Sequence, residues 1–222
     1  MNTASVKLLI FDLDGTLADT LSAIAAGMNL ALREKGLPER TVDHVRSSIG
    51  DGARMLCRRM LPPDLYTDDT LTDSLLETYH RTYGETYLET RENYPGIDDA
   101  VKELKRRGYT LAVLSNKQDL YVKNLISVLF PGGEFSVALG NKPGRPRKPD
   151  PAGFLEICDT LGVPVSEAVM IGDGETDIRA AASAGCAGCV TVSWGYRPMD
   201  KLLEAGADTV IDTAGELLNL FQ

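Results

Sequence analysis

The fold is decided by residues 6–17, which read VKLLIFDLDGTL. Residues 6–11 form a short apolar run rich in β-forming side chains, and such a run predicts a buried strand. The strand ends in Asp12 and Asp14, which would lie on one face of an extended chain because side chains alternate. Two carboxylates this close repel each other, and a hard cation such as Mg²⁺ would relieve the repulsion. The run therefore predicts an acidic, metal-binding pair at a strand end; the alternative is a solvated turn after an edge strand.

Length and composition narrow the classes of protein that remain. The 222 residues suffice for one large domain or for a core with a smaller insertion, and 43% of them are hydrophobic. A net charge of −9 argues against nucleic acid or an anionic membrane as the partner. The apolar run near the N-terminus is too short for a signal peptide or a membrane span, so we expect a cytoplasmic protein. An anionic substrate would need local positive charge or a metal to bind this acidic chain.

Four cysteines raise the question of a metal or redox site. Cys186 and Cys189 have the spacing of half a zinc or redox motif. A zinc site needs two further ligands nearby, and the chain contains only two histidines. Cys189 also opens a predicted strand, so we interpret these residues as structural thiols.

Two patterns of secondary structure divide the chain. Between residues 19 and 91 apolar residues recur at spacings of three and four, which predicts helices and no strand. These helices are expected at about 18–34, 42–48, 53–61 and 71–87. From residue 97 onward helices alternate with strands, which predicts βαβ units and a parallel sheet covered on both faces. The strands are expected at 110–114, 136–139, 168–172, 189–193 and 209–211, and the helices at 97–107, 121–129, 151–161, 177–184 and from about 214.

The predicted fold class is therefore α/β. We expect a Rossmann-like parallel-sheet core formed by residues 1–18 and 92–222. We expect an all-helical domain, residues 19–91, inserted between the first strand and the rest of that core.

Polar residues also follow the later strands, and they share an expected position at the carboxyl edge of the sheet. They are Ser115, Asn116 and Lys117 after strand 110–114, Lys148 in a loop before a helix, and Asp173 and Asp177 after strand 168–172. Carboxylates bind hard metals or act as nucleophiles, and hydroxyl, amide and lysine groups bind phosphate. Taken singly, each of these residues has an ordinary alternative as a turn residue, a solvated side chain or a helix cap. Their joint placement after successive strands favours one shared site.

The chain resembles the haloacid dehalogenase superfamily of phosphohydrolases in four sequence motifs. These are DLDGT at residues 12–16, Ser115, Lys148, and Gly172-Asp173 with Asp177. The helical segment after the first motif is similar to the C1 cap domain of that family. GDG at residues 50–52 and VSWGY at residues 192–196 resemble its phosphoglycolate phosphatase-like branch. The resemblance implies Mg²⁺-dependent hydrolysis of a small-molecule phosphate monoester.

The resemblance also implies a role for each carboxylate of the first motif. Asp12 would attack phosphorus and form an aspartyl-phosphate. Asp14 would protonate the leaving alcohol and then deprotonate the water that hydrolyses the intermediate, a division of labour that two carboxylates in different environments can sustain. Mg²⁺ would bind the Asp12 carboxylate, the Asp14 backbone carbonyl and the Asp173 carboxylate.

The remaining motif residues would hold the phosphoryl group, as phosphoryl transfer depends mainly on positioning and charge neutralisation. Ser115 and Lys148 would bind phosphoryl oxygens, helped by backbone N–H groups near Gly15 and Asn116. Asp177 would orient Lys148 or a metal-bound water.

Substrate choice is expected to depend on the helical segment. Arg54, just after the glycines of residues 50–52, could meet a second anionic group such as the carboxylate of phosphoglycolate; the alternative is an exposed helix residue. Dehalogenases of the superfamily lack the second aspartate, so Asp14 argues against that reaction. A pyrophosphatase, a sugar-phosphate phosphatase or phosphotransferase, and a non-catalytic phosphate-binding regulator stay open as alternatives. The expected partner is a small phosphate ester, and the expected state is a monomer or a homodimer.

Overall fold

The computed structural model describes residues 3–89 and 92–222, and the chain divides into two compact units. One unit joins Met1–Ala18 to Asn93–Gln222, and the other is the continuous segment Asp19–Glu92. The first strand of the larger unit is therefore separated along the chain from the rest of its own sheet.

The elements of the described residues have the following bounds. The strands are β1 (Leu8–Phe11), β2 (Ala18–Asp19), β3 (Glu92–Asn93), β4 (Thr110–Gln118), β5 (Val137–Asn141), β6 (Ala168–Gly172), β7 (Gly188–Val192) and β8 (Thr209–Ile211). The helices are α1 (Leu21–Glu34), α2 (Val42–Ser48), α3 (Ala53–Met60), α4 (Asp69–Thr86), α5 (Ile97–Arg106), α6 (Asp119–Leu129), α7 (Ala152–Leu161), α8 (Glu175–Ala184), α9 (Met199–Glu204) and α10 (Gly215–Leu220).

The larger unit is built on a six-stranded parallel sheet with helices on both sides. The strand order is β5-β4-β1-β6-β7-β8, so β1 lies between two neighbours, with Leu8 opposite Thr110 in β4 and opposite Ala168 in β6. All four residues of β1 are fully buried, as expected for a strand covered on both faces of a parallel sheet. The chain continues from β1 to β4 and β5 on one side and then to β6 on the other. This reversal at β1 creates the crevice in which such sheets bind ligands.

The smaller unit is helical. Thr41 caps α2 by accepting a hydrogen bond from the His44 N–H at 3.2 Å, and Asp68 caps α4 in the same way. α1 and α4 pack closely because Gly27 carries no side chain: a Cβ there would lie 2.9 Å from the Tyr83 Cα. The predicted α/β fold class with an all-helical insertion is confirmed.

The structure corrects two predicted elements. α1 begins at Leu21 rather than at 18, because Ala18 and Asp19 form β2 and pair with β3. β4 continues past residue 114 to Gln118, through polar residues that end the apolar run but still reach β5 at Asn141. The structure also contains α9, a helix of six residues that was not predicted. In the part of the chain that the structure describes, no helix combines the length and the apolarity needed to cross a lipid bilayer.

Candidate active site

Three carboxylates converge at the carboxyl edge of the sheet. Asp12 follows β1, Asp173 follows β6, and Asp177 lies in the first turn of α8. Each offers an oxygen within 4.8 Å of the other two. The Asp12 N–H donates to the Ile171 carbonyl at 2.9 Å, which ties the two strand ends together. The crevice therefore holds three carboxylates that lie close enough together to bind one metal ion.

Burial and mutual repulsion change the acidity of this group. Burial raises the pKa of Asp12 to about 6, although the charge of Lys148 opposes the rise. Burial, reinforced by the charges of Asp12 and Asp177, raises the pKa of Asp173 to about 8. The positive groups of the protein thus balance only part of the negative charge of the three carboxylates. Carboxylate oxygens whose negative charge is not fully balanced are suitable ligands for a hard divalent cation such as Mg²⁺.

Lys148 is the cation that the protein places in this group. Its side chain is only 1% exposed, and its ammonium donates to Asp177 Oδ1 and to the Leu114 carbonyl, both at 2.7 Å, and contacts Asp12 Oδ1 at 3.0 Å. Burial lowers the pKa of the ammonium, but Asp12 and Asp177 raise it further, so Lys148 stays charged. These contacts use all three ammonium hydrogens. Lys148 therefore orients Asp12, and the predicted contact to a phosphoryl oxygen requires one of these partners to be shared or released.

Asp173 is held by loops from distant parts of the chain. Its Oδ2 accepts the Tyr196 N–H at 2.8 Å, and its Oδ1 accepts the Thr16 hydroxyl at 3.3 Å. The Trp194 indole N–H donates to the Thr16 carbonyl at 3.2 Å, which fastens the same two loops together. Gly195 packs directly on Asp173, where a Cβ would overlap its side chain.

Gly15 also faces Asp173, but in a different way from the one predicted. Its φ of +83° is costly for other residues, and a Cβ at this position would overlap the Asp173 carboxylate. Its N–H donates to the Ala18 carbonyl at 3.0 Å. The phosphate contact expected from the Gly15 N–H would thus have to compete with this turn, and it stays a prediction.

Asp14 pairs with Lys117 and is not one of the three carboxylates of the acidic group. The Lys117 ammonium donates to Asp14 Oδ1 at 2.9 Å and to Oδ2 at 3.1 Å. The sequence placed Lys117 at this edge of the sheet but did not indicate its pairing with Asp14, because the apolar run ends at residue 114 and the register of β4 is irregular between Leu114 and Gln118.

Ser115 and Asn116 lie beside Lys148, as their predicted phosphate-binding roles require. Both are buried and line a small cavity to which Lys148 also contributes. The Asn116 amide donates to the Lys148 carbonyl at 2.9 Å, and the Ser115 hydroxyl accepts the Lys117 N–H at 3.3 Å.

Arg54 belongs to the helical unit, in α3. Its Nε donates to Asp73 Oδ1 at 2.6 Å and its Nη2 to Asp69 Oδ1 at 2.7 Å, so two carboxylates of α4 fix the guanidinium. Its side chain is 37% exposed. The predicted contact between Arg54 and substrate stays a prediction.

The cysteines of the CxxC pair are free thiols. The Cys186 thiol donates to the Gly188 carbonyl at 3.2 Å, and burial raises the pKa of both Cys186 and Cys189. Thiols with raised pKa values react poorly, which agrees with the structural interpretation.

The chain is similar to known proteins in sequence and in fold. The family model described as haloacid dehalogenase-like hydrolase matches residues 9–191. The phosphoglycolate phosphatase of Pseudomonas savastanoi pv. phaseolicola is 35% identical over 215 residues, covering 96% of this chain and 78% of the relative. That of Haemophilus influenzae is 34% identical over 225 residues, covering 99% and 100%. A crystal structure of a candidate phosphoglycolate phosphatase from Lactobacillus delbrueckii subsp. bulgaricus is similar with a TM-score of 0.90 and 33% identity, covering 97% of this chain and 98% of the other. The chain therefore belongs to the haloacid dehalogenase-like hydrolase family.

Proposed function

We propose that this chain is a Mg²⁺-dependent phosphatase that hydrolyses a small phosphate monoester carrying a second anionic group, with phosphoglycolate as the first candidate. The observation that carries the proposal is the Asp12 carboxylate, 14% exposed, which contacts Lys148 and lies beside Asp173 in a group of carboxylates whose negative charge is only partly balanced. Two relatives that match nearly the whole chain are phosphoglycolate phosphatases, which supports this substrate class.

The metal would be held by the Asp12 and Asp173 carboxylates and by the Asp14 backbone carbonyl. When bound, Mg²⁺ would neutralise negative charge so that an anionic nucleophile can approach a phosphate dianion. Thr16, Gly195 and Tyr196 would keep the Asp173 carboxylate in place for this task.

The chain's own residues would carry the two chemical steps. An Asp12 oxygen would form a bond to phosphorus while the bond to the ester oxygen breaks and that oxygen takes a proton from Asp14. Water would then attack phosphorus, give a proton to Asp14, release phosphate and restore Asp12. Ser115 and Asn116 would hold the phosphoryl oxygens through both steps, and Lys148 would offset their charge.

The helical unit would supply the contact to the second anionic group through Arg54. Within the described residues, the hydrogen bonds that Arg54 donates to Asp69 and Asp73 come from its Nε and Nη2 atoms and not from Nη1. A guanidinium has five N–H donors, so it can keep both aspartates and still bind a carboxylate.

Activity assays test the proposal directly. Purified protein would be assayed with Mg²⁺ against phosphoglycolate, pyrophosphate, sugar phosphates and p-nitrophenyl phosphate. We expect the highest kcat/KM with phosphoglycolate, loss of activity in EDTA and its return with Mg²⁺. Preference for pyrophosphate or a sugar phosphate would select an alternative within the family. Asp12→Asn should abolish turnover while the circular dichroism spectrum is unchanged; unchanged turnover would refute the mechanism.

Metal binding can be measured without catalysis. Trp194 is the single tryptophan of the chain, and its indole contacts Thr16, whose hydroxyl contacts Asp173. Titration with Mg²⁺ should change its fluorescence in a saturable way. The change should be absent in Asp173→Asn and retained in Asp69→Asn, an exposed carboxylate of the helical unit.

A further inference from the structure

We infer that Lys117 is a positioning residue for the proton transfers of Asp14. The inference rests on the proposed function, in which Asp14 protonates the leaving group and then activates water. It is carried by one contact: the Lys117 ammonium lies 2.9 Å from one Asp14 carboxylate oxygen and 3.1 Å from the other.

This ion pair is unlike those on the surface of the protein. The Lys117 side chain is 6% exposed and that of Asp14 is 12% exposed. The two residues are 103 positions apart in the sequence, so the pair forms only when β1 and β4 are assembled. Water screens such a pair far less than it screens an exposed one, so its electrostatic hold on the carboxylate is stronger.

The Lys117 backbone, from which the side chain extends, makes close contacts within β4 and with β5. Its N–H donates to the Ser115 hydroxyl at 3.3 Å, within β4. Strand β5 approaches so closely that a Cβ at Gly140 would lie 2.7 Å from the Lys117 carbonyl oxygen. The point from which the Lys117 side chain extends is therefore held by contacts with neighbouring residues.

Two lysines thus divide the carboxylates of the site between them. Lys148 contacts Asp12 and Asp177, whereas Lys117 contacts Asp14. The separation matters because the charge of Asp14 repels that of Asp12. With Lys117 in place, Asp12 remains available to attack phosphorus. Asp14 is held in position to exchange protons with the leaving group and then with water.

The decisive experiment separates the two chemical steps with p-nitrophenyl phosphate, whose leaving group needs no proton. In Lys117→Met, we expect p-nitrophenolate to be released in the first turnover at the wild-type rate. Steady-state turnover should fall by about 10–100-fold, because activation of water still requires Asp14. A burst equal to the enzyme concentration would appear. For phosphoglycolate, whose alkoxide needs a proton, the first turnover should slow as well, while KM changes by no more than about twofold.

Two further variants keep the inference falsifiable. Lys117→Arg preserves the charge and should recover part of the steady-state rate. Asp14→Asn should give the same burst, and the double variant Lys117→Met/Asp14→Asn should be no slower than Asp14→Asn alone. With p-nitrophenyl phosphate, equal slowing of the first turnover and of the steady state would overturn the inference. A rise in KM for phosphoglycolate of more than about twofold, or additive losses in the double variant, would overturn it as well. Failure of the proposed function would differ, since the wild-type protein itself would then lack Mg²⁺-dependent hydrolysis.

Discussion

Lys148 and Arg54 each hold two aspartates, but in opposite surroundings. Lys148 and its partner Asp177 are each 1% exposed in their side chains, at the edge of the sheet. Arg54 is 37% exposed, and its partners Asp69 and Asp73 are 68% and 58% exposed, on the helical unit. Exposed pairs contribute about 0–1 kcal/mol to stability, whereas breaking a buried pair costs about 3–5 kcal/mol because a charge is left uncompensated.

A cation paired with two aspartates therefore has a different effect in each of the two units. In the sheet unit, burial raises the pKa values of Asp12 and Asp173, and the charges of neighbouring aspartates add to the rise. In the helical unit, water screens the charges, so the pairs mainly fix side-chain direction. Proteins depart from ideal charge pairing at functional sites, and the buried group is such a departure. The following variants test this contrast.

Lys148→Met should have the largest effect. Removal of the ammonium leaves Asp12 and Asp177 without their shared cation and removes positive charge from beside the phosphoryl group, and loss of one such electrostatic contact predicts a fall of about a hundred- to a thousandfold in kcat/KM for phosphoglycolate. The matched control is Lys123→Met, which removes an exposed lysine paired with Asp119 in α6 and should leave activity unchanged. Activity within tenfold of wild type for Lys148→Met would break the contrast.

Gly195→Ala should weaken the site through shape rather than charge. The new methyl group would overlap Asp173 and displace its carboxylate, and because a misplacement of about 1 Å can cost about a hundredfold in rate, we expect a loss of about 10–100-fold in kcat/KM together with weaker Mg²⁺ binding. Titration of Trp194 fluorescence measures the metal affinity. Gly215→Ala is the control, because the nearest atom to a Cβ there is 4.0 Å away. Unchanged Mg²⁺ affinity in Gly195→Ala would show that the loop does not fix Asp173.

Arg54→Ala should have a smaller and substrate-selective effect. Arg54 is exposed and water screens its charge, so removal of its contact to the second anionic group should lower kcat/KM for phosphoglycolate by no more than about tenfold. p-Nitrophenyl phosphate has no carboxylate and should be nearly unaffected. Arg46→Ala, at another exposed arginine of the helical unit, serves as the control. Equal losses on both substrates would assign Arg54 to the stability of the unit instead.

Asp173→Asn should give the smallest effect, a gain in stability without metal. The pKa of Asp173 is about 8 in the folded protein, above its ordinary value of 3.8, so the folded state binds the proton more tightly. The resulting stabilisation is complete below about pH 4 and is lost as the pH rises toward 8. In EDTA, the Tm of Asp173→Asn should therefore exceed that of wild type by an amount that grows between pH 5 and pH 8, reaching at least about 2–4 °C. Asp69→Asn should show no such growth, and a pH-independent difference would refute the explanation.

The sequence predicted the parts of the site that depend on strand ends. Asp12 and Asp173 could be brought together because parallel strands place their carboxyl ends at one edge. The support of Asp173 by Thr16 and Tyr196 could not be predicted, since it depends on loop conformations between residues as far apart as 157 positions. The Asp14–Lys117 pair was hidden because polar residues continue β4 without an apolar pattern.

The central place of β1 has a consequence for synthesis of the chain. Leu8–Phe11 leave the ribosome well before either neighbouring strand exists, because their partners are Thr110–Val113 and Ala168–Ile171. The most apolar strand of the sheet must therefore stay unpaired while the helical unit is made. Parallel pairing over such distances is slow and exposes hydrophobic surface. We expect nascent chains that stop before β6 to depend on chaperones, and the active site to be the last part of the protein to form.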